Sequence, residues 1–380
     1  MLLGVRFAAD TAILLIALAL QVVPANRLFT GVNSRRSLYL LVLIFSSLLL
    51  YLGLAGNLAA IYGISDPTLF WARGLALAWA LAVICSSLIA AGVKPLASAT
   101  PTDPGRRGFL QLAAKGAVAA PLAGVGFGMF IERDHFEVKE VSVPIAGLPK
   151  DLDGIRIAQL TDIHLGPFLS EKRFARAIDM ANELKPHLAV ATGDLISYRG
   201  DPLDDAIRQI LRLKADAGIV GCHGNHEYYA GALEYATQEF ARNGARILRM
   251  TNHRFAFGSA FLNIGGVDYQ PMGSVYLQGA EELVEPGDVN ILLSHNPDVF
   301  PVAAEKGFAL TLSGHTHGGQ INFEILHHNA NMARFLTPYT KGLYQENGSA
   351  IYVSSGIGTI GVPVRFGAPP EVSLIKLCAI

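Results

Sequence analysis

Negative charge is nearly missing from the first third of this chain. Residues 1–135 hold five acidic side chains, Asp10, Asp66, Asp103, Glu132 and Asp134, out of 31 in the 380-residue sequence. With 51% hydrophobic residues and a mean hydropathy of +0.36, the whole is too apolar for an ordinary soluble protein. Cysteine is scarce as well. Cys85, Cys222 and Cys378 are too few and too scattered for a disulfide framework, and Cys85 and Cys222 read as small buried hydrophobes. A basic excess is also missing. Residues 136–380 carry 20 Lys and Arg against 26 Asp and Glu, so nucleic acid is not an expected partner.

In place of charge, residues 1–135 contain long apolar runs. A spanning helix needs ~20 mostly apolar residues. Four segments meet or approach that length, at about 8–24, 37–62, 69–93 and 109–130. The second has no charge, the first carries Asp10 near its start, and the fourth carries Lys115 and Pro121. Their clustering and length set them apart from buried core helices, and 1–135 reads as a membrane region with about four transmembrane helices.

Basic residues set the orientation. Arg27, Arg35 and Arg36 lie between segments one and two, and Lys94, Arg106 and Arg107 between three and four. The connection GISDPTLF has no Lys or Arg before Arg73. Basic loops inside put the N-terminus outside, and four spans return the chain outside. The expectation is a multi-pass protein of the cell (inner) membrane with residues 136–380 on the exoplasmic or periplasmic side. The run PGRRGFL (104–110) resembles the core of a twin-arginine signal. The positive-inside rule alone would also place two arginines there, so 109–130 reads either as a span or as a cleaved signal.

Residues 136–380 have soluble composition and suit one sizeable domain. Short apolar runs alternate with helical periodicity at 172–184, 203–213 and 232–244, which predicts an α/β domain with buried sheet. Lys185-Pro186 ends the first of these helices. Five of the apolar runs end in metal-ligand side chains: IRIAQL before Thr161-Asp162-Ile163-His164, LAVAT before Gly193-Asp194, GIVGCH before Gly224-Asn225-His226-Glu227, VNILLS before His295, and ALTLS before Gly314-His315-Thr316-His317.

A βαβ unit takes ~30 or more residues, and successive clusters at Asp162, Asp194 and Asn225 have that spacing. They therefore return to one edge of a sheet, beyond the strands' carboxyl ends, where open α/β sheets place their sites. The short connection between His295 and His315 brings those two to the same edge. Oxygen and imidazole ligands without thiolate suit Mn, Fe, Zn or Mg. Two such cations ~3.5–4 Å apart can clamp the attacking and leaving oxygens of an in-line phosphoryl displacement and ionise a bound water near neutrality. Taken singly, Asp162 and Asp194 also suit helix caps or turns. As a set, the five clusters predict a metal-dependent hydrolase.

In this order, D-x-H, G-D, G-N-H-E, a lone His after a strand and G-H-T-H resemble the calcineurin-like metallophosphoesterase superfamily over about 150–380. SHNPD, SGHTHGGQ, YVSSGIGT and PVRFGAPPE resemble its bacterial membrane-associated phosphodiesterase branch. The resemblance implies a β-sandwich flanked by helices (αββα), here following N-terminal transmembrane helices. It implies two divalent ions, Mn first, with Fe, Zn or Mg as alternatives. Asp162, His164 and His317 would bind one, Asn225, His295 and His315 the other, with Asp194 bridging. His226 would be catalytic, protonating the leaving oxygen, and Glu227 would support its loop.

Arg365 is a candidate donor to substrate phosphate, with a surface salt bridge as the alternative. Gln320 suits substrate contact or structural support. His327 and His328 suit the substrate entrance or plain surface. His223 would pack under the third motif, and His135, His187 and His253 read as surface or structural residues. The expected activity is hydrolysis of a phosphodiester, phosphomonoester or pyrophosphate by a membrane-anchored enzyme whose substrate is a phosphate ester, lipid-linked in one reading. The alternatives are a hydrolase of a nucleotide-linked lipid precursor (UDP-diacylglucosamine type) and a metal-stabilised membrane sensor without catalysis. An exoplasmic domain disfavours a cytoplasmic nucleotide-linked lipid. Oligomeric state is not legible.

Overall fold

The computed structural model describes residues 2–28, 35–61, 66–93, 103–325 and 328–380. Tyr62, Lys94 and His327 lie outside these residues, as does the side chain of His328. The chain forms two compact units, one of residues 1–131 with 361–364, the other of 132–360 with 365–380.

The first unit is helical: α1 (Leu2–Leu20), α2 (Val22–Leu28), α3 (Arg35–Ile61), α4 (Pro67–Gly92) and α5 (Pro104–Phe130). Four stretches, Ala8–Leu28, Tyr39–Leu58, Pro67–Gly92 and Pro104–Asp134, are long and apolar enough to cross a membrane. Two differ from the expected segments. The first runs on to Leu28 through a break at Gln21. The fourth starts at Pro104, where Asp103 caps the helix by accepting from Arg106 N, so Arg106 and Arg107 lie in its first turn. Inside this unit Arg73 of α4 pairs with Asp10 of α1 and donates to Asn57 of α3. A charge buried among apolar helices needs such partners.

The second unit holds two six-stranded sheets. One has the order β1-β14-β2-β3-β4-β5, with β1 (Glu137–Ile145), β2 (Arg156–Leu160), β3 (Leu188–Thr192), β4 (Ile219–Cys222), β5 (Arg246–Ile247) and β14 (Glu371–Ala379). The other has the order β12-β13-β9-β8-β7-β6, with β6 (Thr251–Phe257), β7 (Ala260–Gly266), β8 (Val289–Leu293), β9 (Leu310–Ser313), β12 (Gly342–Glu346) and β13 (Ser349–Val353). A small hairpin joins β10 (Asn322–Ile325) to β11 (His328–Asn331).

Strands β2, β3 and β4 are parallel neighbours, as the spacing of the ligand clusters requires. So are β7, β8 and β9 in the second sheet. The sheets pack face to face: Ile157, Val190 and Val220 of the first share one buried cluster with Ile264, Ile291 and Leu312 of the second. Helices α6 (Glu171–Glu183), α7 (Leu203–Ile210) and α9 (Leu233–Arg242) cover the outer face of the first sheet. On α6 the buried residues Phe174, Ala177, Ile178 and Ala181 follow the i, i+3, i+4, i+7 spacing of an apolar stripe. On the far face of the second sheet, Val299 and Ala303, the latter in α10 (Phe300–Glu305), pack with Leu292 and Phe308. The architecture is the expected helix-flanked sandwich.

The patterns of β6 and β12, half-exposed and edge-placed, gave no clear apolar run, and those strands were not anticipated. Nor was α8 (Asn225–Ala230), a short helix opened by the third ligand motif itself. Leu293 sits fully buried where the two sheets meet. Leu293→Ala should destabilise the second unit by about 2–5 kcal/mol, read as increased susceptibility to pulse proteolysis in urea.

Candidate metal centre

All five ligand clusters follow the carboxyl ends of parallel strands: Asp162 and His164 after β2, Asp194 after β3, Asn225 and His226 after β4 at the start of α8, His295 after β8, and His315 and His317 after β9. The two sheets thus contribute to one edge of the sandwich. Backbone hydrogen bonds bind the first two loops together, Asp162 N donating to Gly193 O and both Ile163 N and His164 N to Asp194 O.

The backbone here is unusual. Asp162, His164, Asp194, His315 and His317 have φ of 50°, 49°, 56°, 74° and 52°, in the left-handed region that side-chain-bearing residues rarely adopt. Such conformations persist where the surroundings over-determine them, commonly at functional sites. Close approach adds a second constraint: a Cβ at Gly224 would strike the Asp194 carboxylate, and one at Gly314 the Asp162 carboxylate.

The side chains form two overlapping groups. In one, Asp162 Oδ1 is 3.3 Å from His317 Nε2, which is 3.1 Å from His164 Nε2. In the other, Asp194, His295 and His315 converge, with Asp194 Oδ2 3.0 Å from His295 Nε2. The same Oδ2 lies 3.6 Å from His164 Nε2, so Asp194 stands between the groups. Asp162 Oδ1 is 3.9 Å from His295 Nε2.

Three of the ring nitrogens facing away from the site are tied back, while His317 Nδ1 is buried without a hydrogen-bond partner among the described residues. His295 Nδ1 meets Thr192 O at 2.7 Å, His164 Nδ1 meets Ser197 Oγ at 2.9 Å, and His226 Nδ1 meets Ser197 O at 2.6 Å. A metal-ligating histidine usually donates its second N–H in this way, which leaves the other nitrogen's lone pair pointing into the site.

The donor set fits divalent cations. Two Nε2 atoms facing each other at 3.1 Å have the separation of two ligands on one ion with bonds of about 2.1 Å. Asn225 Oδ1 is buried and makes no hydrogen bond among the described residues, which buried polar atoms rarely tolerate, and His295 Nε2 faces the Asp194 carboxylate at 3.0 Å. Burial pushes the His164 and His317 imidazoles well below their ordinary range and His315 down to about 3, holding all three as the neutral ring that binds metal. Burial pushes the Asp162 carboxyl up to about 6. Burial opposes ionisation of Asp194 too, but His295, His226 and His164 hold it well below the carboxylate range. Burial would depress His295, yet the Asp194 carboxylate pushes it up to about 10. The carboxylates draw positive charge to themselves, and a bound cation would answer the same demand.

His226 is buried beside the first group, its ring 4.7 Å from that of His164, and its backbone N–H donates to Asp194 Oδ1 at 2.9 Å. With His164 and Asp194 it forms a third group close enough to hold an ion, so ligation stands beside the acid role expected for it. Glu227 is fully buried and accepts from three backbone N–H groups, those of Asp194, Leu195 and Gly224, which clamps the second loop to the third. His223 packs below, 2.8 Å from Thr237 Oγ1. Gln320 accepts from Ile360 N and donates to Ile360 O, a structural bridge. His135, His187 and His253 belong to none of the groups able to hold an ion.

Arg365 departs from expectation. It is completely buried, and its guanidinium donates to the carbonyls of His317, Ser355, Gly356, Gly358 and Ala368. These partners hold the loop whose Gly358 N donates to Asp162 O at 2.7 Å. Its donors are thus committed to backbone, neither open to a substrate phosphate nor part of a surface salt bridge. Two residues near the centre were not anticipated. Ser197 orients both His164 and His226, partly through its carbonyl, which carries no sequence signal. Tyr269 lies 5.7 Å from the His315 ring and 6.4 Å from that of His295, and no spacing rule marks it.

The model of the calcineurin-like phosphoesterase family matches residues 155–319, which span all five clusters. Relatives agree over a longer stretch. A metallophosphoesterase of Bacillus subtilis, YkuE, is 30% identical over 288 residues, 71% of this chain and 95% of that protein. The chain belongs to the calcineurin-like metallophosphoesterase family. A second bacterial metallophosphoesterase, from Aquifex aeolicus, is 31% identical over 65% of this chain and 94% of its own length. A protein of Danio rerio named as a transmembrane protein with a metallophosphoesterase domain is 29% identical over 63% of this chain, which spans only 57% of that relative. The family is metal-dependent, and the clustered Asp and His residues described above are the groups here that can hold metal.

Replacing Arg365 distinguishes scaffold from substrate donor. Arg365→Ala should lower stability by about 3 kcal/mol, because several buried carbonyls lose their donor, and thermal unfolding should begin markedly lower. An unchanged unfolding midpoint with only a raised KM would restore the substrate role.

Proposed function

We propose that this chain is a membrane-anchored phosphoesterase that hydrolyses a phosphodiester, phosphomonoester or pyrophosphate at a centre of two divalent cations, Mn²⁺ being the favoured ion. The position of Asp194 carries this reading: one carboxylate oxygen lies within 3.0 Å of His295 and 3.6 Å of His164, between two ligand groups. In this reading Asp162, His164 and His317 hold one ion, Asn225, His295 and His315 the other, and Asp194 bridges them. When bound, the cations supply Lewis acidity towards the phosphoryl oxygens and a water acidic enough to act as nucleophile at neutral pH.

The rest falls to side chains. With its Nδ1–H donated to the Ser197 carbonyl, His226 in its imidazolium form would carry on Nε2 the proton that goes to the leaving oxygen. The Glu227 clamp keeps Asp194 and His226 in register, which suits a reaction that depends on in-line geometry. Four candidate spans in the same chain support membrane anchoring.

The purified full chain should hydrolyse an aryl phosphodiester with Mn²⁺ and lose that activity to a chelator. Asp194→Asn should remove at least about a hundredfold of the rate, and His226→Ala a similar factor. Metal-independent turnover, or full activity in both variants, would contradict the mechanism. Metal content divides the two readings of His226: retained ions in an inactive His226→Ala support the acid, and loss of an ion makes it a ligand.

The basic loops support an exoplasmic catalytic domain. Alkaline phosphatase fused after residues 62 and 135 should then be active, and fused after residue 100 inactive. The reverse pattern would put the domain in the cytoplasm.

A further inference from the structure

Beside the metal centre, a cavity of about 400 Å³ opens between the loops after β8 and β9 and the segment that follows the small hairpin. His315 and His317 form one wall, and Met272, Met332, Leu336 and Ile360 supply apolar surface on the others. Three of these are well exposed, Met332 at 75%, Leu336 at 67% and Met272 at 54%, and Phe335 beside them at 82%. Large apolar side chains held open to solvent next to a catalytic centre mark a surface meant to be covered.

The charge of the cavity narrows what covers it. Among the described residues, no Lys or Arg lines it. Its one acidic residue, Asp298, accepts from the Thr337 hydroxyl, from its place in the cavity wall. A nucleotide or other polyanion would require basic partners for each phosphate beyond the one at the metals, and none is present on this wall. An apolar chain requires only the methionine and leucine surface that is there, and Met adapts to chains of varied shape.

We propose that this cavity is the subsite for an alkyl or acyl chain, so that the substrate is an amphiphilic phosphoester with a single phosphate close to its apolar tail. The proposal rests on the phosphoesterase reading for the identity of the head group. It disfavours the nucleotide-linked lipid. The candidate spans of the same chain would keep such amphiphiles at high local concentration.

The test measures binding of methylphosphonate and octylphosphonate, whose chains are held by P–C bonds that cannot be hydrolysed, to the Mn²⁺-loaded full chain in a maltoside detergent. Burial of one methylene is worth about fourfold in affinity, so the octyl compound should bind at least about tenfold more tightly even if only part of the chain is covered. Met332→Asp and Leu336→Asp should bring the octyl-to-methyl ratio close to one. Equal affinities in the wild type, or a ratio unchanged by both substitutions, would overturn the subsite. Because the readout is a ratio of affinities, a tail preference without turnover of aryl phosphodiesters would locate the fault in the phosphoesterase reading, and turnover without tail preference would locate it here.

Discussion

Two buried carboxylates that face one imidazole, that of His295, are the constraint around which the second unit is built. Asp162 and Asp194 are almost wholly removed from water, and burial of an ionised carboxylate is strongly unfavourable without compensation. The compensation is organised from both sheets at once. The backbone N–H of His315 reaches both oxygens of Asp162, the N–H of His226 reaches Asp194, and the His295 ring lies against both carboxylates. Neither sheet alone carries enough partners. The sandwich and the site therefore specify each other: the apolar seam between the sheets sets the distance at which the strand ends meet, and the polar groups at those ends need that distance.

The same constraint explains the strained loops. A left-handed residue after a strand turns the chain sharply, so that a side chain at the strand end points over the sheet edge rather than along it. Five of the seven expected ligands have this conformation. Behind them lies a layer of supporting hydrogen bonds. Glu227 collects three N–H groups, Arg365 spreads over five carbonyls, and Ser197 orients two imidazoles. Such a layer fixes ligand direction, on which metal affinity and in-line displacement both depend.

Much of this was legible from residues alone, for physical reasons. Strands β2, β3, β4, β8 and β9 are buried on both faces, so each reads as an unbroken apolar run, and a ligand following it stands out. The roughly thirty-residue spacing then forces convergence. What stayed hidden depends on backbone or on burial. The short helix at Asn225 has no amphipathic period because it is only six residues long. Ser197 acts partly through a carbonyl. Arg365 resembled a phosphate donor because sequence records its five N–H groups and not the buried carbonyls that occupy them. The cavity rim at Met272 and Met332 is assembled from distant loops, which no local pattern announces.

The central claim is that these carboxylates and imidazoles exist to hold two cations through Asp194. Metal content per chain, measured by plasma mass spectrometry after Mn²⁺ loading and exhaustive desalting, tests it most directly. The account predicts about two ions in the wild type and fewer than about one after Asp194→Ala, because a bridging ligand serves both ions. A wild-type content near zero, or an undiminished content after the substitution, would contradict it.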